Sequence, residues 1–166
     1  MATERVFWKL FGTPSAIYGT VVYASLIAAA AFHGGAEDVW GVFLFSATTI
    51  VTFWLAHVFA EGLAHRGSDA EESESIRTSI GHGFVNSIGV IEAAVLPSVP
   101  LALGSLGLLG SRQSIQLSLL TSVGVLFVLG LLAVSARHRA FWVRIVSAAV
   151  TALFGVVIIL IEANVH

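Results

Sequence analysis

Apolar residues run along this chain in long blocks, and the polar residues gather at the breaks between them. Crossing roughly 30 Å of hydrocarbon takes about 20 mostly apolar residues, and five blocks meet that requirement. The first runs from about Pro14 to Phe32. Thr13 is placed to cap it, and Pro14 takes the first helical position, where its missing N–H does no harm. The second runs from about Val39 to Leu63, and the third starts near Ile80 and reaches at least Leu96. Pro97 removes a backbone donor and crowds the preceding turn, so a bend or break is expected there, or a kinked continuation past Pro97 and Pro100. The fourth block runs from about Arg112 to Ala136 and the fifth from about Ala140 to Ile161. The pattern predicts an all-α, polytopic membrane bundle of five transmembrane helices.

Lys and Arg positions orient the bundle. With five spans, the N-terminus, the 64–79 loop and the 137–144 turn share one side. That side carries Arg5, Lys9, Arg66, Arg77, Arg137, Arg139 and Arg144, against Arg112 alone on the other. The positive-inside bias then predicts a cytoplasmic N-terminus and an outside C-terminus. Residues 1–13 read as an interfacial segment, with Val6, Phe7, Leu10 and Phe11 on one face and Arg5 and Lys9 beside them. Residues 14–166 read as a single transmembrane domain. The acidic, serine-rich loop HRGSDAEESESIR is expected to be a solvated cytoplasmic linker, with Ser68 and Glu71 spaced as a capping box for a helix leading into the third span.

Composition agrees with a membrane setting. Charged residues make up 11% of the chain and hydrophobic ones 57%, with a mean hydropathy of +0.92, whereas a soluble domain carries about 25% charged residues. Localisation in the plasma membrane, as a multi-pass protein, follows as the expectation. A chain without cysteine has no disulfides and no thiol chemistry. Its net charge of −2 gives no basic face for nucleic acid. No serine–base pair or two-aspartate pattern points to an enzyme.

Ionisable residues inside such blocks carry the functional signal, because a charge near the bilayer centre costs about 2.5–3.5 kcal/mol on insertion scales. His57 and Glu61 stand in the second span, His82, Asn86 and Glu92 in the third. At about 1.5 Å rise per residue, His57 lies roughly 9 Å and Glu61 roughly 15 Å to the cytoplasmic side of the span centre. On the antiparallel third span, Asn86 and His82 lie roughly 6 Å and 12 Å to that same side, and Glu92 is close to the middle. If spans two and three pack together, His57 is level with Asn86 and Glu61 with His82. A Glu–His pair in low dielectric can share a proton or ligate a cation.

The spacing restricts the chemistry. His57, Glu61 and His65 recur every four residues, but His57 and His65 are roughly 12 Å apart along the axis, too far to share one metal. The order is not H-E-x-x-H. A metal ion at His57 and Glu61 needs ligands from another helix, with His82 the natural donor; no other cofactor is expected. His65 reads as a boundary residue, His33 and His138 as span ends, and Glu162 as reaching water. The structural alternative for His57, Glu61 and Asn86 is interhelical hydrogen bonding, and for Glu92 a bond to backbone freed by Pro97 or, as a neutral carboxyl, to a serine or threonine. Ser147, Thr151 and Gly155, and Ala24 with Ala28, form small-residue ridges suited to close helix packing or to a homo-oligomer. Trp8, Trp40 and Trp142 fall at span boundaries, as an aromatic belt requires.

Three segments, FWLAHVFAEGL, IEAAVLPSVPLALGSLGLL and GVVIILIEANVH, resemble small integral membrane proteins of actinobacteria that have no named activity. The resemblance implies source and topology, with His57, Glu92 and Pro97 at its most distinctive positions, and no reaction. The reading from the residues is therefore a transporter or channel for protons or a cation, through His57, Glu61, His82, Asn86 and Glu92. The alternatives are a non-catalytic assembly subunit whose polar residues hold helices together, and a haem- or metal-binding redox protein with His57 and His82 as ligands.

Overall fold

The computed structural model describes residues 14–34, 38–68, 76–135 and 141–164. They form five helices: α1 (Pro14–Gly34), α2 (Val39–Ser68), α3 (Ile76–Ser105), α4 (Ser111–Ser135) and α5 (Phe141–Asn164). No strand occurs among the described residues. Apolar stretches long enough to cross a membrane lie in four of them: Pro14–Phe32, Val39–Ala64, Gly83–Ser105 and Ser111–Val134. In α5 the apolar stretch is shorter, Phe141–Val157. The segment 1–13, the acidic residues 69–75 and the basic turn 136–140 lie outside the described residues.

Local chemistry explains the helix ends. Pro14 opens α1, as its lost donor allows. Asp38 caps α2: its Oδ1 accepts from the Gly41 N–H at 2.8 Å, and its carbonyl accepts from the Val42 N–H at 3.0 Å. Ser68 is the last residue of α2, so it does not open a helix into the third span. α3 runs unbroken through Pro97 and Pro100. It stops at Gly107, whose φ of 74° is the left-handed conformation that glycine adopts without a Cβ penalty. The Leu108 N–H reaches back to the Leu103 carbonyl at 3.0 Å and the Gly107 N–H to Gly104 at 2.9 Å, the paired bonds of a Schellman motif. The glycines after the prolines thus build a defined stop.

α3 is the central element, packed on α1, α2 and α4, with α5 laid mainly against α4. The core gathers Tyr23, Ile27, Val39, Val42, Ile50, Val90, Ala94, Leu101 and Ile115. Glycines set the closest approaches. A Cβ on Gly19 would lie 2.7 Å from the Cα of Val90, and one on Gly130 would lie 2.8 Å from the Cα of Ala148. Small residues at crossings are how membrane helices gain dispersion contact where lipid offers no hydrophobic driving force. The ridges expected to serve close helix packing or a homo-oligomer face inward. Ala24 and Ala28 are buried, Gly155 lies under Leu126, and Thr151 lies against Gly130.

Candidate functional site

The seam between α2 and α3 is fixed by one glycine. A Cβ on Gly83 would run into the carbonyl oxygen of Val58, and the Gly62 amide nitrogen would be 3.1 Å away. Gly83 therefore sits level with the turn between Val58 and Gly62. In an antiparallel pair this register puts His82 level with Glu61, and Asn86 level with His57. The side chains of His82 and Asn86 lie outside the described residues, so only their levels are given by the backbone.

His57 and Glu61 do come together. The His57 Nε2 stands 4.0 Å from the Glu61 Oε1, one helical turn on, with the two side chains 32% and 44% exposed. They lie beside the buried stripe of Val58 and Gly62, on the flank toward α1. There the imidazole packs on Tyr18, ring centroids 6.2 Å apart, and Tyr18 also meets Phe53 at 5.5 Å. At 4.0 Å the pair is within electrostatic reach but beyond a hydrogen bond, a distance that one water molecule spans.

Two further polar atoms lie on the same seam. The Trp54 Nε1 and the Ser87 Oγ are buried with no hydrogen-bond partner among the described residues. Trp54 is one turn from Val58 and Ser87 one turn from Gly83, in the same direction along the seam. The indole packs edge-on against Phe84 at 5.1 Å. A buried polar atom without a protein partner carries a desolvation cost of about 1–3 kcal/mol unless water or an ion meets it.

Glu92 is placed differently. It is nine residues from Gly83, two and a half turns, and so projects from the opposite side of α3. The structure therefore does not bring it to His57 and Glu61. Its Oε2 is covered and has no hydrogen-bond partner among the described residues. The interhelical bond at Pro97 comes from α4: the Ser118 hydroxyl donates to the Pro97 carbonyl.

Serine and threonine spacing carries polar contacts that the acid-and-histidine reading passed over. Ser114, Ser118 and Ser122 recur every four residues on α4, and all three are buried. The buried Tyr23 hydroxyl on α1 lies near the Ser46 and Ser98 side chains, where α1, α2 and α3 meet. Most other hydroxyls turn back on their own helix: Thr20 donates to the Ala16 carbonyl at 2.8 Å and Ser46 to Val42 at 2.7 Å. That is the ordinary way to satisfy a hydroxyl where water is absent. Among the described residues, no group of three or more histidines and carboxylates could hold a metal ion.

These observations define an all-α protein whose four long apolar helices suit a membrane, with a half-exposed His–Glu pair beside a seam of unpartnered polar atoms. No family model, curated protein or solved structure matches the chain.

Proposed function

We propose that the protein is a small transporter or channel for protons or a cation, seated in the cell membrane with its N-terminus in the cytoplasm. His57 and Glu61 form the cytoplasmic-side station, and His82 and Asn86 complete it from the level of α3 that faces them. The observation that carries this reading is the pair of buried polar atoms on the α2–α3 seam with no hydrogen-bond partner among the described residues, Trp54 Nε1 and Ser87 Oγ, beside the His57–Glu61 pair at 4.0 Å. A structural role calls for polar groups paired with one another, whereas a conduction path calls for groups left to water and to a passing ion. Glu92, turned away from that seam, is assigned a separate role below.

An accessory subunit held together by its polar residues is the second reading. The Ser118–Pro97 bond favours it, since it is spent on joining α4 to α3.

Flux into proteoliposomes under an imposed potential separates the two. With a pH dye trapped inside, wild type is expected to acidify or alkalinise the lumen according to the sign of the potential, and Glu61→Gln to abolish that change while remaining folded. Wild-type flux no greater than in protein-free vesicles, for protons and then for mono- and divalent cations, would establish the accessory reading instead.

A further inference from the structure

Five residues on the outward side of α3 alternate in spacings of three and four: Val85, Ile88, Glu92, Val95 and Val99. Val85, Val95 and Val99 are exposed, and Ile88 and Glu92 are partly exposed. The buried side of the helix is carried by other positions, Gly83, Ser87, Val90, Ala94, Pro97 and Leu101. Within one chain, then, the Val85–Val99 stripe is largely uncovered.

Its spacing is that of a heptad seam, with Val85, Glu92 and Val99 at a positions and Ile88 and Val95 at d positions. Branched residues surround one polar residue at the central a site. In parallel coiled coils such a residue costs stability and fixes register and oligomeric state. Left-handed crossings of the same geometry are the commonest among membrane helices. An acyl-chain surface offers a carboxyl no hydrogen-bond partner.

Copies of one chain share one orientation in a bilayer, so two α3 helices meet in parallel about an axis along the membrane normal. In a parallel seam, each a or d residue meets its own counterpart at the same depth. A protonated carboxyl both donates and accepts a hydrogen bond, so Glu92 is chemically complementary to a second Glu92. Rotation about its last bond brings either oxygen to the contact, because that torsion is soft. We propose that α3 pairs with α3 of a second copy along Val85, Ile88, Glu92, Val95 and Val99, with the two Glu92 carboxyls hydrogen-bonded across the axis. This concerns assembly and does not rest on the transport reading.

A chain free of cysteine makes the test direct. Val95→Cys and Val99→Cys on the stripe, and Leu153→Cys on the exposed side of α5, are each oxidised in vesicles at low protein density. Disulfide-linked dimer is expected several-fold more from the two stripe cysteines than from Leu153→Cys. Adding Glu92→Leu should bring the stripe down to the Leu153→Cys level, while Glu92→Gln, whose amide also donates and accepts, keeps the cross-link. Photobleaching step counts on labelled wild type need no mutant to fold and should show two copies. Single steps throughout, or equal cross-linking from both surfaces, would overturn the proposal.

Discussion

Along α3, the side with Gly83, Ser87, Val90, Pro97 and Leu101 is closed against α1, α2 and α4, while the side with Val85, Glu92, Val95 and Val99 is turned outward. Both sides are dominated by apolar residues, so hydrophobicity does not tell them apart. Size and polar chemistry do. At Gly83 the closed side has no room for a side-chain carbon, with a backbone carbonyl of α2 where its Cβ would go. The open side carries bulky branched residues and one carboxyl. In a membrane, where lipid is as apolar as leucine, close packing decides which face turns inward.

Substitutions that exchange the two rules should break the comparison most strongly. Gly83→Leu forces α2 and α3 apart and is expected to destabilise by about 2–3 kcal/mol or more, seen as a large drop in melting temperature. Val85→Leu, two residues away on the open side, should leave that temperature nearly unchanged. Gly19→Ala places a methyl 2.7 Å from the Val90 Cα and should cost about 1–3 kcal/mol, because backbone cannot step aside as a side chain can. Ser118→Ala removes the interhelical bond to Pro97, an expected loss of about 0.6–1.5 kcal/mol by the same melting assay. The smallest effect is expected from Gly81→Ala. Nothing lies within 4 Å of the new methyl, so the better helix former should be neutral or stabilising by up to about 1 kcal/mol.

Much of this fold can be read from the chain because a bilayer imposes length and polarity so strictly. The expected starts at Pro14 and Val39 coincide with the helix starts, and a helix continuing past Pro97 was among the expected outcomes. The level match of Glu61 with His82 followed from rise per residue alone, and the Gly83 contact gives the same register. Helix rotation was harder to read. Glu92 stood out as a midplane carboxyl, yet depth says nothing of azimuth, and only the Gly83 contact shows that it projects away from His57. The 3–4 spacing around Glu92 is present in the sequence too. Along a helix apolar on all sides it cannot be recognised as a seam until the covered face is known. The serines on α4 stand at a four-residue repeat in the sequence, but the partner of Ser118, Pro97, depends on which helices touch.

The division of α3 into a conducting-seam side and an assembly side is tested most directly by measuring proton and cation flux for Glu61→Gln and Glu92→Gln side by side, in vesicles matched for protein content. Flux lost in Glu61→Gln and retained in Glu92→Gln is the expected result. Flux retained in Glu61→Gln and lost in Glu92→Gln would place the path on the outward side of α3 and contradict that division.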